Sequence, residues 1–182
     1  MGAVTRLALA AGALLLTGCG ASTVRLAIAP TIDGEGHPGV ESTIGLGIGT
    51  PLDFHGPSHH YLQALGAVGA GLDGRTHTAG LVTSGSLDYL YWAEPRLEVR
   101  GGLRFSYRQV EGALAPTSLY GLGGHLGILP VVVGNGSGPG AVHLCLGPEL
   151  HAEWLTSDPG GASRALLSLP LVAELTVLTA GD

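Results

Sequence analysis

Residues 96–108 read Arg-Leu-Glu-Val-Arg-Gly-Gly-Leu-Arg-Phe-Ser-Tyr-Arg, and this alternation constrains the fold more than any other feature. Leu97, Val99, Leu103, Phe105 and Tyr107 share one parity. Arg96, Glu98, Arg100, Arg104 and Arg108 share the other. A helical turn of 3.6 residues scatters these side chains around an axis, whereas an extended strand separates them onto two faces. Val142 to Trp154 repeats the pattern. Val142, Leu144, Leu146, Pro148, Leu150, Ala152 and Trp154 stand opposite His143, Cys145, Glu149, His151 and Glu153.

The same period, more weakly written, predicts six further strands. Val24 to Ile32 sets Val24, Leu26 and Ile28 against Arg25. Val40 to Gly49 alternates Ile44, Leu46 and Ile48 with Gly45, Gly47 and Gly49. Tyr61–Leu72 and His77–Tyr91 flank the tight turn Asp73-Gly74-Arg75. Leu119–Val133 becomes apolar on both faces. Arg164–Leu178 also fits a helix, but Pro170 in its middle would break one. Turn-rich pieces at 33–39, 51–59, 111–116, 134–140 and 157–163 separate the strands.

Eight strands without convincing helices predict an all-β domain over residues 19–182. The expected architecture is an antiparallel up-and-down β-barrel of about eight strands, with a soluble β-sandwich as the alternative. Residues 22–178 resemble the small eight-stranded outer-membrane barrels in pattern alone. In those barrels the apolar parity faces lipid and the polar parity fills the lumen. In a soluble domain the same apolar parity points into a core. Composition leans toward the barrel. Charged residues are 12% of the chain, against about 25% in a typical soluble domain. Tyr89, Tyr91, Trp92, Tyr107, Tyr120 and Trp154 cluster near strand ends. Pro30, Pro130, Pro148 and Pro170 within strands, a C-terminus without an aromatic residue and loops without a clear alternation of short and long lean the other way.

The N-terminus carries an address. Met1 to Arg6 is positively charged, Leu7 to Leu16 is a ten-residue apolar run, and Leu16-Thr17-Gly18-Cys19 closes it. The run is too short for a membrane-spanning helix and has the length of a signal-peptide core. The tetrad resembles the bacterial lipobox, which makes residues 1–18 a lipoprotein signal peptide. By that resemblance Cys19 is the acylated first residue of the mature chain, anchored in the outer membrane or cell envelope. Membrane lipid, through Cys19, is then the first expected partner. Cys145 is left as a lone thiol, read as a small buried hydrophobe.

A closed barrel of eight strands is filled by side chains, so its inward charges must pair. The expected lumen network is Arg25, Glu41, Glu98, Arg100, Arg104 and Glu174, with Glu149 and Glu153 beside it. Arg25 is expected to pair with Glu41 or Glu174, because the first strand lies between the second and the last. Gly45, Gly47 and Gly49 are expected to leave room for the long arginines.

Chemistry is sparse. His143, Glu149, His151 and Glu153 share one strand face and are weak metal or general-base candidates. His55, His59 and His60 sit in a Gly/Pro-rich loop, read as solvated. The glycine-rich run 134–140 lacks the Lys-Ser/Thr of a phosphate loop, and no Gly-x-Ser-x-Gly elbow occurs. Eight arginines and no lysine stand against fourteen acids, which argues against a nucleic-acid partner. The expectation is a structural protein, or one that binds a lipid or envelope component, without catalysis or cofactor. A periplasm-facing domain binding a small apolar ligand is the alternative, and an envelope-lipid hydrolase the lesser one.

Overall fold

The computed structural model describes residues 20–52, 59–93, 96–110, 117–134, 140–158 and 163–179. The expected signal segment and Cys19 lie outside the described residues, as do the loop at 111–116 and most of the glycine-rich run. Among the described residues nine strands form: β1 (Gly20–Asp33), β2 (Pro38–Pro51), β3 (His60–Asp73), β4 (Thr78–Ala93), β5 (Leu97–Val110), β6 (Thr117–Gly134), β7 (Val142–Asp158), β8 (Arg164–Ser168) and β9 (Leu171–Thr179). From β1 to β8 each strand pairs antiparallel with the next. β8 and β9 together make one stave, lying between β7 and β1. β1 also pairs with β2. The sheet therefore closes into an eight-staved barrel, and the sandwich alternative is set aside.

The segment at 164–178 is strand, not helix. Its break falls at Leu169-Pro170, where proline offers no N–H to a ladder. The other prolines follow the same logic. The β6–β7 ladder skips Ile128–Pro130 opposite Leu146–Pro148, and a register shift follows at Val131/Val133. The β1 ladder skips Ala29 and Pro30 opposite Leu169 and Pro170. Backbone bonds span the break on both sides of the stave: the Leu169 N–H donates to Pro30 O of β1 at 3.1 Å, and the Glu149 N–H of β7 donates to Pro170 O at 2.9 Å. Strand-interrupting prolines are thus matched across neighbouring staves, and the wall still closes.

Two tight turns at one rim share a device. Asp33 ends β1 and accepts hydrogen bonds from the Glu35 and His37 N–H groups at 3.0 and 2.8 Å. Asp73 ends β3 and accepts from Arg75 and Thr76 at 2.9 and 3.0 Å. An aspartate side chain that captures N–H groups two to four residues on closes a turn locally. This rim is called the turn rim. The opposite, terminal rim carries Gly20 and Thr179.

Parity decides the rest. Val24, Leu26, Ile28, Ile44, Leu46, Ile48, Leu103, Phe105, Leu122, Leu126 and Ile128 point away from the barrel and are exposed. No described Asp, Glu or Arg side chain within the strands joins them. Aromatic groups flank this aliphatic belt. Near the terminal rim, His60 stacks on Tyr91 at 4.9 Å and on Tyr89 at 5.9 Å. Toward the turn rim, Tyr107 packs on Tyr120 at 5.4 Å, with exposed Trp154 on the stave beyond. The interior holds charges between two apolar clusters. One contains Tyr61, Leu90, Trp92, Leu129, Cys145, Val172 and Leu178. The other contains Val110, Leu119, Leu155 and Leu166.

Candidate functional site

Strand β5 supplies the spine of the lumen. Its even positions Glu98, Arg100, Arg104, Ser106 and Arg108 all point inward and are buried. Arg100 is wholly enclosed, with its guanidinium among four carboxylates. It donates from Nε to Glu98 at 2.7 Å and from Nη2 to both Glu98 and Glu174. Glu149 lies at 3.7 Å and Asp88 at 3.9 Å. A buried arginine suits this position because its planar fork spreads one charge over several acceptors.

Nearer the turn rim a second cluster forms around Glu153. Arg104 donates to it at 2.6 Å, Ser106 at 2.5 Å and Arg108 at 2.8 Å. Arg108 also donates to Glu41 at 2.6 Å. Arg25 pairs with Glu149. That corrects the expectation of Glu41 or Glu174. Glu174 does stand directly across the ladder from Arg25, but its carboxylate serves Arg100, and Glu41 serves Arg108. Adjacency in register fixes neighbouring backbones, while a six-atom arginine chain in a narrow lumen reaches past them.

The glycine rows behave differently from expectation too. A Cβ at Gly47 would meet Gln63 at 3.2 Å, and one at Gly45 would meet Leu65 at 3.2 Å. The β2 glycines therefore admit β3 side chains, not arginines. Room for the charges comes from β6. A Cβ at Gly127 would lie 2.5 Å from Glu149 Cγ, and one at Gly121 would strike Ser106 and lie 2.7 Å from Glu153 Oε2.

Of the weak metal candidates, His143 is apart from the rest: its ring packs on Trp92 at 4.5 Å. Glu153 is taken by arginines. Glu149 and His151 do meet, at 2.8 Å. Asp88 and His125 were not singled out in the sequence, yet both are buried here. His125 Nε2 lies 3.3 Å from Asp88 Oδ1, and the His125 and His151 rings stand 5.4 Å apart. Asp88 is the lone charge on a strand whose inward neighbours are Leu90 and Trp92, so alternation gave it no contrast. His125 lies among the glycines of β6, which carry no charge pattern. Buried Cys145 has its sulfur 3.9 Å from Glu98.

Among the described residues, spaces open from this interior. A vestibule of about 450 Å³ lies at the turn rim, with Val82, Val110, Leu155 and Leu166 as apolar lining. Arg164 bridges Asp33 at 3.4 Å and Asp73 at 2.6 Å above it. A chamber of about 350 Å³ is lined by Arg25, Glu41, Leu65, Arg104 and His151. Glu41 forms part of both walls.

No protein-family model matches the chain, and no curated protein matches it in sequence. Among solved structures, the crystal structure of Neisserial surface protein A superposes with a TM-score of 0.55. It covers 88% of this chain and 97% of that one, at 15% identity. The likeness is one of fold.

Proposed function

We propose that the chain is an integral outer-membrane protein: a small closed barrel, tethered by an acylated Cys19, with a structural role or a role in binding an envelope component. One observation carries the reading. The outward face of the described strands carries an aliphatic belt, free of Asp, Glu and Arg, between two aromatic groups, while the buried charges lie inside. A water-soluble monomer rarely exposes a contiguous apolar patch above a few hundred Å². A membrane barrel needs such a belt with aromatic flanks. This arrangement favours lipid over water as the surrounding medium, and so disfavours the soluble-domain alternative.

The lumen does not read as an open pore, because ion pairs and the Trp92–Leu129 cluster fill it. The vestibule is the natural seat for an envelope component. It joins apolar lining to a few convergent charges, as ligand pockets do. A hydrolase reading gains no support. His143 and His151 are buried at 2% and 5% exposure, out of reach of a lipid substrate.

The anchor reading rests on the Leu-Thr-Gly-Cys tetrad and on where β1 begins. Gly20 is already paired in the wall, so acyl chains on Cys19 would enter the bilayer beside the barrel itself. Each buried methylene contributes about 0.8 kcal/mol, enough for permanent attachment when two or three chains are present. The test is expression of the full chain in a Gram-negative host, with electrophoresis of unheated and heated samples and intact-mass measurement. The expected results are heat-modifiable migration and an acyl mass adduct that Cys19→Ser abolishes. A protein that stays in solution without detergent, with no heat shift, would overturn the membrane reading. An unmodified Cys19 would overturn the anchor alone.

A further inference from the structure

Below the vestibule the lumen holds six carboxylates (Glu41, Asp88, Glu98, Glu149, Glu153, Glu174) against four guanidiniums (Arg25, Arg100, Arg104, Arg108). Among the described residues the carboxylates therefore outnumber the guanidiniums by two in a largely buried space. Uncompensated charge in such a place is costly unless a proton or a cation joins it.

The deficit has a location. Asp88 is completely buried, and neither of its carboxylate oxygens completes a hydrogen bond. Its nearest cationic or imidazole atoms are His125 Nε2 at 3.3 Å and Arg100 Nη1 at 3.9 Å. His125 is buried, and neither of its ring nitrogens completes a hydrogen bond. Beside it, His151 Nε2 is held by Glu149 Oε2 at 2.8 Å. The order along the wall is carboxylate, imidazole, imidazole, carboxylate. Gly102 stands between Asp88 and His125 in the ladder, and without a side chain it lets them meet.

We infer that His125 and His151 together hold one divalent transition-metal ion of the zinc or copper type, with Asp88 and Glu149 behind them as orienting carboxylates. Three features fit. Two imidazoles on one tetrahedral ion, with metal–nitrogen bonds of about 2 Å, set their ring centres about 5 Å apart, and these rings stand at 5.4 Å. A carboxylate behind each imidazole is the usual device for fixing tautomer and ring direction in metal sites. A cation supplies charge of the sign this imbalance lacks. Arg25 and Arg104, which line the chamber beside His151, are already neutralised by Glu149 and Glu153. Glu41 lines both the vestibule and the chamber, and His151 lines the chamber. Water completes the coordination on the chamber side.

The experiment uses the full chain without a histidine tag, folded in detergent micelles and checked by heat-modifiable migration. Protein equilibrated with Zn²⁺ is desalted and its metal content measured. A parallel sample is loaded with Cu²⁺ and examined by electron paramagnetic resonance. The expected results are one ion per chain and hyperfine coupling to two imidazole nitrogens. His125→Ala and His151→Ala each abolish retention, and Asp88→Asn weakens it by about 10–100-fold, as loss of an orienting carboxylate does. His37→Ala serves as a control, because Asp33, Glu35 and His37 at the turn rim place donor atoms within 4.8 Å of one another. It should leave retention unchanged. Metal-free wild-type protein, a spectrum with fewer than two nitrogens, or retention that follows His37 instead of His125 would overturn the inference. The wild-type measurements stand even where a lumen variant does not fold.

Discussion

Arg100 is the residue on which the lumen turns. It is one cation serving Glu98 and Glu174 directly, with Glu149 and Asp88 within 4 Å. Buried ion pairs of this kind contribute little net stability, because desolvation offsets attraction, but removing one partner leaves the rest exposed to each other. Arg100→Leu is therefore expected to destabilise the folded barrel by about 3–5 kcal/mol. Urea unfolding in micelles, followed by the heat-modifiable band, reads the loss. The triple variant Arg100→Leu, Glu98→Leu, Glu174→Leu should recover most of it, because no orphaned charge remains among those three. A triple variant as unstable as the single one would mean that shape, not charge, holds this level of the barrel. The parities of Arg25, Glu41, Glu98, Arg100, Arg104 and Glu174 can be read from sequence, and all six side chains lie inside. Their pairing was not readable, since it depends on reach across a lumen whose width no local pattern encodes.

At the scale of the strand, glycine positions separate into two kinds that sequence alone does not distinguish. In β6, inward Gly127 is the space that Glu149 occupies. Gly127→Val places a branched side chain where Glu149 Cγ already stands 2.5 Å from the Cβ position. Overpacking of this sort costs about 1–3 kcal/mol, and here it also pushes Glu149 from Arg25. On the outward face of β3, a Cβ at Gly66 meets nothing within 4 Å. Gly66→Ala is expected to be neutral or to stabilise by up to about 1 kcal/mol through the unfolded chain. The same unfolding assay compares the two. Equal effects would show that backbone freedom, not lumen volume, sets the role of these glycines. Strands with charges on one parity, β5 and β7, were plain in the sequence. β4 was not, because Leu90 and Trp92 share its inward parity with Asp88, and an apolar residue facing in looks the same as one facing out. The stave of β8 and β9 was ambiguous for a related reason: its proline reads equally as a helix breaker and as a strand interruption.

For the molecule as a whole, the question is what surrounds the belt. Leu126 sits midway along β6 on the outward face and is 59% exposed. In a bilayer, Leu126→Arg at that depth is expected to cost about 2–4 kcal/mol. In water the same change at an exposed site costs within about 0.5 kcal/mol. Refolding into lipid vesicles and titrating with urea gives the number directly. A loss below 0.5 kcal/mol would refute the proposed lipid contact, whatever the barrel shape. Strand count and period narrowed the fold to a barrel or a sandwich, and low charge and aromatic placement leaned toward the barrel. Alternation by itself did not give the direction in which the apolar parity turns, because it is the same whether a face meets lipid or a core.

Pro30, Pro130, Pro148 and Pro170 all fall on four neighbouring staves, so the wall is not equally strong around its circumference. The arc from β2 to β6 is laced by uninterrupted ladders, while the arc through β7, β8, β9 and β1 has rungs missing. In hydrocarbon, where no water can replace a lost backbone bond, such an arc is the place where the cylinder last shuts during assembly and first loosens afterwards. Amide protons of Leu150 and Val172 should then exchange with solvent deuterium sooner than those of Val68 and Phe105. The molecule would have a hinge line running up one side, written into it by proline.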